Sequence, residues 1–186
     1  MKTETIKYLA LLRGINVGGK NLIKMDELRR LFETVEFENV RTYIQSGNVL
    51  FESTEMNDKI IAAKLEAALK KHLGEVIPVF IRTADELGAI AKLNPFKKIT
   101  TASSTKLYVS FLNDELKKKP ELPHISPKND VEIIEIRKRE VYSLTKEIKG
   151  RSGFPNNFVE KEYAIPATTR NWSTVCKLFE LTTSES

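Results

Sequence analysis

Hydrophobic and polar positions along this 186-residue chain change their period several times, and each change marks an element. Ile6 to Leu12 is a compact, largely apolar run ended by Arg13-Gly14, the pattern of a buried strand. From Met25 to Val35 the period lengthens, and Leu28, Leu31, Phe32 and Val35 recur at helical spacing. "NVRTYIQSGNVLFES" returns to alternation, with Val40, Thr42 and Ile44 set against Arg41, Tyr43 and Gln45. Ser46-Gly47-Asn48 supplies residues that tolerate positive φ, so the stretch reads as a hairpin whose second strand begins at Val49. Asn57 is a good N-cap for a helix running to about Leu73, with Ile61, Leu65, Ala68 and Leu69 as its buried stripe and Gly74 as its stop. "VIPVFIR" is a fourth strand. The order β-α-β-β-α-β within residues 1–83 is the signature of a ferredoxin-like split βαβ unit.

Residues 84–105 read as a short helix and a linker, and 106–186 as a second unit. "KLYVSFL" is a strand, and "VEIIEIRKREVYSLTKE" is a hairpin turning near Lys138-Arg139. Between them "DELKKKPELPHISPKND", with three prolines, is expected to be largely irregular. Asn156 is an N-cap candidate for a short helix, and a last helix is expected from about Thr169 to Leu181, with Trp172, Val175, Cys176 and Phe179 on one face. The fold class is therefore α+β, a ferredoxin-like βαββαβ N-terminal half packed with a second, smaller α+β half.

Composition adds limits. A chain of this length buries roughly 70% of its unfolded surface and needs no staples. With 41% hydrophobic and 30% charged residues it is ordinary globular material. A single cysteine, Cys176, excludes an internal disulfide framework and fits a reducing, cytoplasmic compartment. Only Tyr8 to Leu12 are consecutively apolar near the N-terminus, which is too short for a signal-peptide core, and no membrane span or membrane partner is expected. The net charge of +5 permits phosphate or nucleic-acid binding, although the lysine runs in "LKKKPELP" and "ALKKHLG" read first as solvated faces.

The candidate chemistry starts at "RGINVGGKN". From Gly14 it reads G-x-x-x-x-G-K, with Asn21 where a P-loop needs Ser or Thr. The helical register begins several residues past Lys20, and a hairpin follows where a P-loop fold needs a parallel crossover. A P-loop is therefore rejected. What remains is a glycine loop carrying Arg13, Asn16 and Lys20, able to meet an anion through side chains and exposed amides. Arg41, Tyr43 and Gln45 point away from the apolar face of their strand, beside the turn residues Ser46 and Asn48. Tyr8, with Tyr43, raises base stacking on an open sheet, but the RNP1 pattern is absent and a covered sheet is the better reading. "PATTRNW" is expected to open the last helix, with Thr168 or Thr169 as cap and Arg170 in the first turn. A cation there opposes the helix dipole, so either an acidic side chain or a ligand should offset it, and Thr169, Arg170 and Asn171 join the candidate site. His72, His124 and Cys176 show no metal-ligand spacing, G-x-S-x-G is absent, and no catalytic residue or cofactor is assigned.

Three stretches, "LLRGINVGGKNLIKMDELRRLFE", "FENVRTYIQSGNVLF" and "ATTRNWSTVCKL", carry a resemblance. Together they resemble the hallmark segments of the bacterial domain-of-unknown-function family numbered 1697. The resemblance implies a cytosolic α+β protein built from ferredoxin-like units, with no established activity and no catalytic residues to carry over. Three readings of function follow. The first is a binding module for a nucleotide, a nucleic acid or a phosphorylated metabolite at the glycine loop. The second is an enzyme on such a substrate, for which no base or nucleophile is visible. The third is a structural role, in which the hallmark segments pack the halves together or form a homodimer face; monomer and homodimer both fit.

Overall fold

The computed structural model describes residues 5–99 and 104–184; the end of the expected linker, residues 100–103, lies outside them. The chain mixes helices with antiparallel sheets, an α+β protein as its patterning requires. It divides into two compact units, Met1–Ala89 with Leu178–Ser186, and Ile90–Lys177.

In the first unit the elements run β1 (Ile6–Leu12), α1 (Met25–Thr34), β2 (Glu38–Tyr43), β3 (Asn48–Ser53), α2 (Asp58–Leu73) and β4 (Val79–Thr83), followed by α3 (Ala84–Leu93). The sheet order is β2-β3-β1-β4 with every described pair antiparallel, the order that a βαββαβ chain adopts when one crossover is split around β3. The helices supply the apolar layer. Ile61, Leu65 and Leu69 of α2 recur every four residues, so all three fall on one face and are buried. With Leu28 and Phe32 of α1 they join a core that includes Tyr8, Ala10 and Leu12. Phe51 is the hub of that core, with the Phe37 ring 4.6 Å away and the Tyr8 and Phe32 rings each at 5.5 Å. Tyr8 is therefore a core residue whose hydroxyl donates to the Glu55 carbonyl at 2.8 Å, not a stacking platform.

Both ends of α2 follow their sequence signals. Asn57 Oδ1 accepts from the Lys59 amide at 3.0 Å, and Gly74 takes a left-handed φ of 80° while its amide donates to the Lys70 carbonyl. The start of α3 is a reciprocal cap. Thr83 Oγ1 accepts from the Glu86 amide at 3.1 Å, and Glu86 Oε2 accepts from the Thr83 amide at 2.9 Å.

The second unit contains β5 (Lys106–Leu112), β6 (His124–Ile125), β7 (Val131–Arg137), β8 (Glu140–Thr145), the small ribbon β9 (Glu147–Ile148) and β10 (Arg151–Ser152), α4 (Pro155–Tyr163) and β11 (Ala167–Asn171). Its main sheet has the order β11-β5-β8-β7-β6. The hairpin turning at Lys138-Arg139 is present. The proline-rich stretch is largely irregular, as expected, and only His124 and Ile125 pair, with Ile133 and Glu132 of β7. Two expectations change. Asn156 is not the N-cap of α4; Phe154 is, with Pro155 at the first helical position, and Asn156 is buried one residue further on. The last helix, α5 (Trp172–Thr183), begins after "TTRN", not within it.

Leu65→Ala removes a fully buried side chain from the α2 stripe and is expected to destabilise the protein by about 2–5 kcal/mol, measured by urea unfolding, whereas the exposed Lys59→Ala should stay within about 0.5 kcal/mol.

Candidate functional site

Beyond Leu12 the glycine loop closes on itself. Val17 and Lys20 form an isolated antiparallel bridge, with the Lys20 amide donating to the Val17 carbonyl at 3.1 Å. Gly18 and Gly19 between them have φ of 59° and 75°, positive at both central positions as a type I′ turn requires. The Asn16 amide donates to the Asn21 carbonyl at 3.2 Å, and Asn21 Nδ2 donates back to the Gly14 carbonyl at 3.1 Å. Asn21, the residue that spoils the P-loop match, is thus part of the clasp of a miniature hairpin. The first turn of α1 begins only at Met25.

This hairpin is tied to the β2–β3 turn. Asn16 Nδ2 donates to both the Ile23 and Gln45 carbonyls at 3.0 Å, and Asn16 Oδ1 accepts from the Ile23 amide at 2.9 Å. The Leu12 amide donates to the Gly47 carbonyl at 2.8 Å. Gly47 has φ of 73°, and a Cβ added there would lie 2.9 Å from Leu12 Cβ. Asn48 is fully buried and donates to the Tyr43 carbonyl at 3.1 Å and to Ser46 Oγ at 2.9 Å. Asn16 therefore ties the two loops together, while Ser46 and Asn48 bond within the β2–β3 turn.

The outward positions are different. Lys20 and Gln45 are exposed, Arg13 and Tyr43 are half-buried, and exposed Arg41 donates to the Leu181 carbonyl at 3.0 Å. Three apolar side chains stand among them: Val17, Leu22 and Ile44 keep 63%, 66% and 48% of their surface in solvent. Ile44 also has φ of 49°, an outlier for a β-branched residue.

The third expected segment belongs to the second unit, and its residues play other parts. Ala167 to Asn171 form strand β11, paired with β5, so Thr168 and Thr169 cap nothing and Arg170 does not sit in a helical turn. The β-branched threonines suit a strand, Thr168 opposite Phe111 and Thr169 opposite Ser110, and this pairing outweighs their capping preference. Thr169 Oγ1 donates to Asn156 Oδ1 at 3.0 Å, which leaves it to accept from Ser110 Oγ at 2.7 Å. Arg170 is buried and donates from Nη1 to Thr168 Oγ1 at 2.8 Å and to the Thr169 carbonyl at 3.0 Å. Burial pushes its pKa down to about 10, so it stays protonated at neutral pH. Asn171 is exposed.

Two features were not singled out from the sequence. Arg82 in β4 is fully buried, and cross-strand pairing places it in one row with Leu9, Leu50 and Arg41. The signal was available: in "VFIRT" Arg82 alternates with Ile81 and shares a face with Phe80. The second is a contact, His124 Nδ1 lying 3.0 Å from the Tyr163 hydroxyl. The two residues are 39 positions apart, and no spacing rule joins them.

The architecture defines a class, an α+β chain whose first unit is a βαββαβ layer with a glycine hairpin at the exit of its first strand. The family model described as "Protein of unknown function (DUF1697)" matches residues 6–142, and the chain belongs to that family. No curated protein matches it. Among solved structures it is similar to that of the conserved bacterial protein SP0830 from Streptococcus pneumoniae, with 21% identity over 96% of this chain and 99% of that one and a TM-score of 0.69, a likeness of fold. Among the described residues no helix is long and apolar enough to cross a membrane, and no group of three or more His, Cys, Asp or Glu is placed to hold a metal ion.

The two glycine environments predict an order of effects. Gly47→Ala combines positive φ with a clash on Leu12 and should cost about 2 kcal/mol or more. Gly18→Ala meets open space and only the left-handed penalty, about 1 kcal/mol. Urea unfolding of the two variants measures the difference, and equal losses would mean that the close approach at Gly47 is relieved without cost.

Proposed function

We propose that the chain is a binding module whose working edge is the glycine hairpin with the adjoining 44–47 turn, and that its ligand is an extended anion, a nucleic-acid backbone. The observation that carries this reading is the Asn16 tie, which fixes two loops in one orientation while leaving Lys20, Gln45, Val17, Leu22 and Ile44 exposed. A cation, an amide and three apolar groups on one pre-formed edge suit a ligand that offers phosphates and base or sugar surface together. The tip stands clear, since a Cβ at Gly18 or Gly19 would meet nothing within 4 Å. A projecting edge fits a polymer laid across it better than a small molecule that needs enclosure. Arg13, half-buried where β1 ends, and exposed Arg41 in β2 add positive charge to this unit. Arg41 gives one N–H to Leu181, and a guanidinium has about five N–H donors in all. The left-handed Ile44 supports the same reading, because strained backbone concentrates where a surface must be held in a working shape.

Fluorescence anisotropy with labelled single-stranded DNA and RNA tests the proposal. Affinity should fall steeply as salt rises, and Lys20→Ala should weaken binding and reduce the slope of log affinity against log salt by about 1. No binding at low salt, or slopes untouched by both Lys20→Ala and Arg41→Ala, would remove this edge from the function.

A further inference from the structure

The second unit holds a cavity of about 630 Å³ beside β6 and the end of α4, within the roughly 300–1,000 Å³ range of small-ligand sites. Three of its lining residues form a chain of polar contacts. His124 Nδ1 lies 3.0 Å from the Tyr163 hydroxyl, and His124 Nε2 lies 3.5 Å from Glu162 Oε1. Phe158 and Tyr163 also meet the imidazole edge-on, with ring centroids at 5.5 and 6.1 Å. Helix α4 makes this possible. Phe158 and Glu162 are one turn apart on the same face, and Ala164 ends the helix in a left-handed conformation directly after Tyr163. An imidazole engaged at both nitrogens and flanked by two rings is more than a two-residue edge strand needs for its own stability, and such support is what pre-organises a polar contact for a ligand. Burial, reinforced by the Glu162 carboxylate, pushes the Tyr163 phenol up to about 12, so it remains a neutral hydroxyl at physiological pH.

The same cavity is lined by Leu116, Ile165 and the exposed lysines 117–119. Lys119 Nζ donates to the Ile136 carbonyl at 3.5 Å, and the neighbouring ammonium groups of Lys117 and Lys118 suit a phosphate, which accepts several charge-assisted hydrogen bonds at once. Asp114 and Glu115 also line the cavity, so its charge is mixed in sign. A mixed lining disfavours a polyanion. It favours one phosphate on an otherwise uncharged body that carries hydrogen-bond donors of its own.

We propose that this cavity binds a nucleotide-sized phosphate ester. Lys117 and Lys118 hold the phosphate, Leu116 and Ile165 pack against the organic body, and the Tyr163–His124 pair fixes a polar group on it. This site is independent of the edge at residues 13–24 and 44–47. Amide NMR titrations of the full chain with adenosine monophosphate, adenosine and inorganic phosphate test it. Adenosine monophosphate should give saturable shifts at residues 114–119, 124 and 162–165, with adenosine and phosphate each at least about tenfold weaker. The double change Lys117→Ala, Lys118→Ala leaves the fold intact because both side chains are exposed, and should weaken adenosine monophosphate about tenfold or more. Tyr163→Phe, which keeps the ring, should weaken it several-fold. Shifts confined to 13–24 and 44–47, no shifts at about 10 mM nucleotide, or affinities unchanged in both variants would overturn the proposal. Inorganic phosphate binding as tightly as the nucleotide would overturn the assignment of an organic ligand. Oligonucleotide binding through the glycine hairpin reports at different residues, so either site can fail alone.

Discussion

Strand β1 has neither a free edge nor a free face. It pairs with β3 on one side and β4 on the other, and Tyr8 to Leu12 are buried whichever way their side chains point. A strand confined on four sides leaves its partners no alternative register, because a one-residue slip would exchange the whole Tyr8-Ala10-Leu12 set for Leu9 and Leu11 against the helices. It also decides how the chain departs. The Leu12 amide is committed to Gly47 and the Arg13 amide to Pro78, so the path must bend sharply at once, and Gly14 with φ of 68° makes that bend. The glycine hairpin is where it is because β1 has nowhere else to send the chain.

Each unit also buries an arginine on a strand, Arg82 in β4 and Arg170 in β11. A buried guanidinium is costly unless its N–H groups find acceptors, and both residues use main-chain carbonyls of their own strands, Ile81 for Arg82 and Thr169 for Arg170. The hydroxyl chain from Ser110 through Thr169 to Asn156 serves a related end in the second unit, linking β5, β11 and the first turn of α4 with directional bonds. Apolar packing alone tolerates sliding; these polar contacts admit one arrangement.

The long periodic segments were legible because their signals are local. The α2 stripe with its Asn57 and Gly74 ends, the β2–β3 hairpin and the βαββαβ order all follow from spacing that tertiary contacts did not override. The candidate site was legible only in part. The sequence marks the glycine loop and the "QSGN" turn as special, but Asn16 and Asn48 resemble ligand-facing polar residues until their partners are seen, Asn16 tying the two loops and Asn48 bracing the β2–β3 turn. "ATTRN" was misread for a different reason. Threonine is both a good cap and a good strand residue, and the deciding factor, β5 lying alongside, is more than fifty positions away in sequence. The His124–Tyr163 contact is non-local in the same way.

The clasp formed by Asn16, Asn21 and Gly14 separates the tip of the hairpin from the fold beneath it. Everything that fixes the loop's orientation lies below the Val17–Lys20 bridge, and nothing above that bridge is needed to keep it. The four residues at the tip form a module that mutation and insertion can rewrite with little disturbance to folding. A change of length or chemistry at that tip would alter what the edge presents to a ligand while Asn16 keeps its orientation.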